Sequence, residues 1–388
     1  MKNPDDIHEH KNQKHIVVIG GGFGGIELVK QLNKSPFRVT LIDRNNYHTF
    51  QPLLYQVATG GLGADAIGYP FRLIFRNQKN FKFLMADVLK IDAYQKSVHT
   101  SEGLVSYDEL VIASGSTSNF FGNDSLVSYS MPLKSIPDAL NLRSDILQKF
   151  EHACQIKDKE VRKQYLTFIV VGGGPTGVET AGALAEFKKF VVPHDYPEIN
   201  NEDVSVILIE ASDRLLNGMS ENAGKKSLSY LKELGVEIKL STLVKNYTGS
   251  LVELGDGSTI HAKTLVWSAG VQGMVIGGLG DECVSRSRYK TDEYLRIKGV
   301  QNVYAIGDVA HVDSEAYPKG HPMVAPVAVQ QGKLLAKNIL GSLKSDFKPK
   351  AFAYVDKGSM ATVGRNKAVV DLSFWKFGGF LAWLTWMF

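Results

Sequence analysis

The stretch HIVVIGGGFGGIELVKQL, residues 15–32, decides the fold. Its apolar first part predicts a buried β-strand, and the part that begins at Gly24 predicts a helix. Between them Gly20 allows a tight turn, Gly22 leaves room for a phosphate to approach the backbone, and Gly25 allows the helix to pack closely on the strand. The free N–H groups and the positive dipole end of the helix favour a phosphate at this turn.

A second apolar run, residues 38–43, completes the motif and ends at Asp43. A carboxylate at this position is spaced to accept hydrogen bonds from the hydroxyls of a ribose. A strand, a glycine turn, a helix, a second strand and a terminal acid together indicate a dinucleotide-binding unit much more specifically than the glycines alone.

The same motif recurs at residues 167–187, with Gly172, Gly174 and Gly177 in the turn. The strand that follows ends in Glu210, which comes later than the usual interval of about 20 residues because the crossover is extended. A carboxylate there repels a 2′-phosphate, so this unit is expected to prefer NADH to NADPH.

Two further acidic residues are candidate site residues because of their positions in the chain. Glu179 is expected in the first turn of the second motif's helix, either as an acid favoured by the helix dipole or as a carboxylate near the dinucleotide, and the residues alone favour neither. Asp308 follows a strand within residues 300–310, at the edge where α/β sheets bind ligands. Two motifs and this acid predict an α/β protein with two Rossmann-like domains, the layout of flavoproteins that take hydride from a nicotinamide.

The composition argues against several other classes of protein. A net charge of +4 is too small for a dedicated nucleic-acid-binding protein, so no nucleic-acid partner is expected. Cys154 and Cys283 are far apart and form no CxxC motif, so no redox-active dithiol is predicted. No cluster has the spacing of metal ligands, so no metal site is predicted either.

Beyond these motifs, the chain resembles the type II NADH dehydrogenases, which are single-subunit NADH:quinone oxidoreductases. The resemblance extends from about residue 14 over nearly the whole chain, and two of its segments, at 50–60 and 330–332, are the most specific. It is carried, in order, by GGGFGG at 20–25, FQPLLYQVATG at 50–60, VIASGS at 111–116, GGGPTGVETAG at 172–182, VWSAG at 266–270, YAIGD at 304–308 and APVAVQQG at 325–332.

The resemblance implies two nucleotides in one chain. Non-covalent FAD would bind the first motif through Gly20, Gly22, Gly25, Asp43, Gly115 and Asp308. NADH would bind the second motif through Gly172, Gly174, Gly177 and Glu210, with Ala269 and Gly270 near the nicotinamide. Glu179 matches the family's glutamate close to the contact between nicotinamide and flavin, which favours a catalytic role for it.

Gln330 and Gln331 match the glutamines that line the quinone pocket of the family, and are likewise predicted to be catalytic. Adjacent helix positions point about 100° apart, so one of the two could instead be a solvated helix residue. Pro326 stands where the family has a further glutamine, and it removes one amide contact with the quinone. His48 is a weaker candidate for the proton source, because a lone histidine is more often a structural hydrogen-bonding residue.

The predicted domains are a disordered arm at 1–13, an FAD domain at 14–117 and 285–340, an NADH domain at 118–284 and a C-terminal segment at 341–388. The predicted function is transfer of hydride from NADH to flavin and of two electrons to a membrane quinone, without proton pumping. The alternatives are a sulfide:quinone oxidoreductase, another pyridine-nucleotide flavoprotein reductase, and a non-catalytic flavin-bound redox sensor.

The stretch FWKFGGFLAWLTWMF, residues 374–388, is too short to span about 30 Å of hydrocarbon. Its tryptophans and Lys376 are typical of a segment that lies in the membrane interface. One helix face would carry Phe380, Trp383, Leu384 and Met387. The alternative is a helix packed on the protein itself or on a partner subunit.

The family usually continues into a further amphipathic helix beyond this stretch. We therefore expect an anchor that is interrupted or binds weakly, on a peripheral protein at the cytoplasmic face of the inner membrane. The resemblance also allows a homodimer.

Overall fold

The computed structural model describes residues 13–387 of the chain. The predicted arm lies outside the described residues except for Gln13, and so does Phe388. The chain divides into two compact units. The first unit combines the residues up to Thr49 with Gly68–Thr117 and Gln272–Val355, and the second combines Phe50–Ile67, Ser118–Val271 and the residues from Asp356 onward.

The helices vary from one turn to five turns in length. They are α1 Phe23–Gln31, α2 Leu54–Ala58, α3 Phe71–Ile74, α4 Asp124–Tyr129, α5 Ile136–Gln155, α6 Lys159–Tyr165, α7 Pro175–Glu186, α8 Val192–Asp195, α9 Glu221–Glu233, α10 Ala325–Gly341 and α11 Phe380–Met387.

The strands are short, as is usual where helices alternate with sheets. They are β1 His15–Ile19, β2 Arg38–Asp43, β3 Tyr47–Thr49, β4 Gly68–Pro70, β5 Phe81–Met85, β6 Val88–Asp92, β7 Ser97–Thr100, β8 Gly103–Ser106, β9 Glu109–Ile112, β10 Ser116–Ser118, β11 Met131–Pro132, β12 Thr167–Val171, β13 Ser205–Ile209, β14 Glu237–Lys239, β15 Val244–Tyr247, β16 Leu251–Leu254, β17 Thr259–His261, β18 Thr264–Trp267, β19 Val271–Gly273, β20 Val284–Ser285, β21 Arg288–Thr291, β22 Val303–Ala305, β23 Ala310–Val312, β24 Ser359–Thr362, β25 Ala368–Asp371 and β26 Lys376–Gly379.

The first unit is built on a five-stranded parallel sheet in the order β22-β9-β1-β2-β5. Successive side chains of β1 point to opposite faces, and both faces are buried: Ile16 and Val18 pack in one core cluster, and Val17 and Ile19 pack in another. A strand segment covered on both sides has to be apolar, which is the pattern that Ile16–Ile19 show before the glycine turn.

Two glycines close the turn between β1 and α1. Gly20 has a φ of +100°, a conformation that side chains with a Cβ rarely adopt. A Cβ on Gly25 would lie 2.0 Å from the carbonyl oxygen of Gly20, so only glycine lets α1 start this close to the strand. The helix also packs closely on α10, where a Cβ on Gly332 would lie 2.6 Å from the carbonyl oxygen of Gly24.

The second unit repeats this arrangement with a parallel sheet in the order β11-β18-β12-β13-β14. Gly172 has a φ of +111°, and a Cβ on Gly177 would lie 1.8 Å from the carbonyl oxygen of Gly172. The predicted α/β fold with two Rossmann-like domains is confirmed.

The C-terminal residues of the second unit form an antiparallel sheet, β24-β25-β26, followed by α11. Residues 376–379 are therefore a strand, and the helix begins only at Phe380. The residues of the predicted helix face do not share one environment. Phe380 and Met387 are exposed, whereas Trp383 packs partly against β25. Ala382 is fully buried in that contact, so one side of α11 packs on its own unit.

None of the helices within residues 13–387 has the length and apolar character needed to cross a membrane.

The contrast between Gly25 and Gly22 gives a stability prediction. We expect Gly25→Ala to lower the free energy of unfolding of the first unit by roughly 1–3 kcal/mol or more, because the new methyl group overlaps a backbone carbonyl that cannot move away. Gly22→Ala is the control, since no atom lies within 4 Å of a Cβ at that position and the φ of Gly22 is −73°. Thermal unfolding of both variants measures the difference, and equal midpoints would contradict the packing argument.

Candidate functional site

The first glycine turn is held by the acid at the end of β2. Asp43 accepts a hydrogen bond from the amide of Gly21 at 2.7 Å on one oxygen and from the amide of Asn45 at 2.8 Å on the other. Burial raises the pKa of this carboxyl, and the two amide hydrogen bonds oppose that shift. The carboxylate keeps further lone pairs for a ribose hydroxyl. The open space in front of Gly22 leaves the backbone free for a pyrophosphate.

The second turn is held in the same way, although its acid lies farther along the chain. Glu210 accepts from the amide of Gly173 at 2.5 Å, and its other oxygen accepts from both the amide and the hydroxyl of Ser212. The sequence separation is 37 residues here and 22 residues in the first turn, yet the bond is equivalent. Gly174 also faces open space. The extended crossover therefore does not displace Glu210 from the position the motif requires.

Asp308 lies in a short helical turn directly after β22, in the first unit. Its side chain accepts a hydrogen bond from the hydroxyl of Ser116 at 2.5 Å, and its backbone carbonyl accepts from the Arg288 side chain at 2.9 Å. Gly115, which precedes that serine, has a φ of +72° and accepts from the amide of Met274. The predicted residues Gly115 and Asp308 thus meet at the carboxyl edge of the first sheet.

Gln331 is 1% exposed, and its side-chain oxygen accepts from the amide of Gly307 at 2.6 Å. Gln330 points elsewhere and binds the backbone of Val355 twice, through its amide nitrogen at 2.8 Å and its oxygen at 3.0 Å. Gln331 is therefore not a solvated helix residue, whereas Gln330 is partly exposed and that alternative stays open for it. Pro326 falls within the first two positions of α10, where the helix needs no N–H from it.

Glu179 is 8% exposed and lies in the second turn of α7. The sequence placed it in the first turn, which is wrong because the helix begins at Pro175. The dipole explanation for this acid is correspondingly weaker, since the effect fades beyond the first turn. Burial raises the pKa of Glu179 to about 8, against two opposing hydrogen bonds from Thr362. The carboxyl group is therefore protonated at neutral pH and has a proton to donate.

Sequence reasoning missed two residues around this carboxyl. The amide of Thr362 donates to an oxygen of Glu179 at 3.3 Å, and the hydroxyl of Thr362 lies 2.8 Å from that of Tyr55. Tyr55 belongs to the FQPLLYQVATG segment, so the specificity of that segment was a signal for it. Nothing in the local sequence around Thr362 distinguishes it.

The loop after β18 carries the two residues expected near the nicotinamide. The carbonyl of Gly270 accepts from the amide of Asn119 at 3.0 Å, and a Cβ on Gly270 would lie 3.1 Å from the ring of Phe121. Ala269 packs at the border of the second unit's core. The proximity of this loop to a nicotinamide stays a prediction.

The surroundings of His48 and of the two cysteines favour structural roles over catalytic ones. The Nδ1–H of His48 donates to the carbonyl of Gly21 at 3.0 Å, and burial lowers the pKa of its ring. Cys154 and Cys283 are both free, and burial raises the pKa of each thiol, which makes both weak nucleophiles. In the described part of the chain, no group of three or more His, Cys, Asp or Glu residues could hold a metal ion.

Comparison with known proteins agrees with this geometry. The profile of the pyridine nucleotide-disulphide oxidoreductases matches residues 14–332. The type II NADH:quinone oxidoreductase Ndh of Mycobacterium tuberculosis is 38% identical over 96% of this chain and 82% of its own length. The type II NADH:quinone oxidoreductase of Staphylococcus aureus is 31% identical over 92% of this chain and 90% of its own length.

Among solved structures, NDH2 from Plasmodium falciparum in complex with NADH superposes with a TM-score of 0.89 at 22% identity, covering 97% of this chain and 94% of that one. This likeness concerns the fold, and the sequence identities above establish the family. The chain belongs to the pyridine nucleotide-disulphide oxidoreductases and, within them, to the type II NADH:quinone oxidoreductases.

Proposed function

We propose that the protein transfers hydride from NADH to a non-covalently bound FAD and passes two electrons to a membrane quinone without pumping protons. The observation that carries this proposal is the duplicated turn: in each unit an acid binds the middle glycine, and the next glycine faces open space. One chain thereby offers two dinucleotide cradles. The names of its relatives, NADH:quinone oxidoreductases, support the choice of electron donor and acceptor.

The residues of the first unit fit FAD. Gly20, Gly22 and Gly25 shape the cradle for its pyrophosphate, and Asp43 has lone pairs left for its ribose. Asp308 is held in place by Ser116 through one carboxylate oxygen, and its second oxygen can accept a hydrogen bond from FAD. When bound, a flavin supplies the hydride and electron chemistry, and the protein supplies binding and orientation.

The residues of the second unit fit NADH. Gly172, Gly174 and Gly177 form its cradle, and Glu210 keeps a carboxylate facing the same turn. A 2′-phosphate would meet this negative charge, so NADH is the better donor. The nicotinamide is assigned to the loop that contains Ala269 and Gly270.

Glu179, Gln330 and Gln331 are the proposed catalytic residues. Glu179 acts as a proton donor, since its carboxyl is buried and neutral at pH 7. Gln331 orients the turn before Asp308 by holding the amide of Gly307. A contact between a quinone and either glutamine amide requires that its present hydrogen bond open or be shared.

The membrane surface is assigned to exposed apolar side chains near the end of the second unit. These side chains are Phe374, Trp375, Phe380, Leu381 and Met387, with Lys376 among them. Aromatic rings beside a lysine suit the headgroup region of a bilayer. This surface makes the protein peripheral, on the cytoplasmic face of the inner membrane in our proposal, and a homodimer stays a prediction.

The function is tested with the purified protein under anaerobic conditions. NADH is expected to bleach the flavin absorbance, NADPH to bleach it much more slowly because of Glu210, and a short-chain quinone to restore it. Absence of bleaching by NADH would refute the dehydrogenase proposal. Bleaching without quinone-dependent turnover would favour the flavin-bound redox sensor instead.

The role of Glu179 is tested with Glu179→Gln, which keeps the shape of the side chain but has no acidic proton. We expect quinone turnover to fall on the order of 10²-fold, the usual contribution of a positioned general acid. The decline of wild-type turnover above pH of about 8 is expected to disappear in this variant. A variant that keeps the wild-type rate and pH profile would exclude the proton-donor role.

The same substitution has a consequence for stability. The pKa of Glu179 is raised from 4.5 to about 8 in the folded state, so the folded protein binds the extra proton between these values. Stability therefore declines as pH rises through this window, and Glu179→Gln removes that contribution. Denaturant unfolding at several pH values measures how the free energy of unfolding changes with pH in the wild-type protein and in the variant.

Membrane binding is tested with Phe374→Ser and Leu381→Ser. These side chains are 83% and 63% exposed, so replacing them changes the free energy of unfolding little. Each of these side chains would be buried in the bilayer on binding, so the loss of one is expected to weaken binding to phospholipid vesicles about tenfold. Tyr94→Ser is the matched control, because that side chain is 97% exposed in the first unit. Unchanged co-sedimentation of the double variant would place the membrane surface elsewhere.

A further inference from the structure

A network of hydrogen bonds extends from Glu210 into the loop that follows β13. One oxygen of Glu210 accepts from the amide and the hydroxyl of Ser212, and the Ser212 oxygen accepts from the side-chain amide of Asn217 at 2.5 Å. Asn217 also binds Arg214: its side-chain oxygen accepts from Nε at 2.8 Å, and its backbone carbonyl accepts from Nη2 at 3.0 Å. All four residues belong to the second unit. In this network Asn217 stands between the carboxylate and the guanidinium.

Backbone contacts hold this loop in one shape. The amide of Leu216 donates to the carbonyl of Gly173, in the glycine turn, at 2.8 Å, and the amide of Ser241 donates to the carbonyl of Ser212 at 2.8 Å. Leu216 has a φ of +53°, which bulky side chains rarely adopt, and it is 1% exposed. A conformation of this cost persists only where the surroundings impose it, and such positions concentrate at functional sites. The loop is therefore fixed against the turn of the proposed NADH site.

The network leaves Glu210 little capacity to accept further hydrogen bonds. A carboxylate has about four acceptor sites. Ser212 occupies both sites of one oxygen, and the amide of Gly173 occupies one site of the other. The remaining site lies beside the glycine turn and suits a single ribose hydroxyl. A 2′-phosphate would replace this donor with a second negative charge, and a nearby cation would be needed to offset the repulsion.

Arg214 carries the kind of charge that such a phosphate requires. Dinucleotide sites that accept NADPH use an arginine in this region to bind the 2′-phosphate. Here the edge of the guanidinium formed by Nε and Nη2, which is suited to a bidentate contact with a phosphate, is bound to Asn217 instead. The side-chain amide of Asn217 has one suitable orientation, because its oxygen faces an N–H of Arg214 and its nitrogen faces the oxygen of Ser212.

We propose that Asn217 is a specificity-determining positioning residue that keeps the guanidinium of Arg214 away from the ribose-binding carboxylate of Glu210. This inference rests on the proposed function, in which the second unit binds NADH. Removal of the Asn217 side chain leaves Arg214 with one bond to the backbone, about which its guanidinium can turn toward the carboxylate or toward a 2′-phosphate. Either contact offsets the repulsion between the two anions. The preference for NADH therefore depends on Asn217 as well as on Glu210.

The test uses Asn217→Ala, Arg214→Met and the double variant that combines them. Asn246→Ala is the matched control, because Asn246 lies on β15, in a different sheet of the second unit. The probes are ADP-ribose and its 2′-phosphate, which carry the adenosine ends of NADH and NADPH without the nicotinamide. Calorimetric titration gives a Kd for each probe, and the ratio of the two Kd values measures the discrimination. The KM values of NADH and NADPH in anaerobic flavin reduction are then compared in the same way.

We expect Asn217→Ala to lower the discrimination on the order of tenfold, the contribution of one hydrogen bond between charged groups, through tighter binding of the 2′-phosphate. The KM of NADPH is expected to fall more than its kcat changes, because the nicotinamide end is not altered. Arg214→Met alone and Asn246→Ala are expected to keep the wild-type ratio. The double variant is expected to regain that ratio, since it lacks the cation; a loss caused only by loosening of the loop would not be restored by a second substitution.

A wild-type ratio in Asn217→Ala would overturn the proposal, and so would a lowered ratio that persists in the double variant. A changed ratio in Arg214→Met alone would show that the guanidinium already acts at the ribose, which also contradicts it. Absence of ADP-ribose binding to the wild-type protein would overturn the NADH site and this proposal together. Failure of the proposed function alone looks different, because ADP-ribose would then bind although NADH does not bleach the flavin.

Discussion

In each unit, a carboxylate at the end of the second strand accepts a hydrogen bond from an amide in the turn after the first strand. Asp43 holds Gly21 and Glu210 holds Gly173. The bond fixes the turn relative to the neighbouring strand, so the helix that follows starts at one defined place. Its N–H groups are thereby directed at the space in front of Gly22 or Gly174. Both proposed nucleotide sites depend on this constraint, because an unfixed turn would have to be ordered at the cost of binding energy.

The same constraint explains why so much of the fold can be predicted from the sequence. The turn demands glycine at Gly20 and Gly25 for steric reasons that hold in any protein, and β1 has to be apolar because both its faces are covered. These requirements act between residues that are close in the chain, so they produce a pattern that can be recognised in the sequence. The position of Glu210 was predictable for the same reason, even though its crossover is longer.

Other parts of the candidate site follow from packing between distant segments, and the sequence carries no local signal for them. Glu179 could be assigned to a helix but not to its correct turn, because the helix begins at Pro175, earlier than the glycine pattern suggests. The hydrogen bond to its carboxyl comes from Thr362, 183 positions away, which no spacing rule can reach. Gln330 and Gln331 illustrate the same limit. Their different directions follow from helix geometry, but the partners Val355 and Gly307 follow only from the folded chain.

The small C-terminal sheet connects two of the proposed properties. Thr362 ends β24, which pairs with β25, and β25 pairs with β26 beside the exposed aromatic residues. Asp371 at the end of β25 accepts two hydrogen bonds from Ser220, the residue that caps α9, so the sheet is fixed to the second unit from another side as well. A segment that only anchored the protein to a membrane would not need this support. A sheet that also holds the amide of Thr362 against Glu179 does need it, because a shift of a few tenths of an ångström at Thr362 would break a hydrogen bond that is already 3.3 Å long.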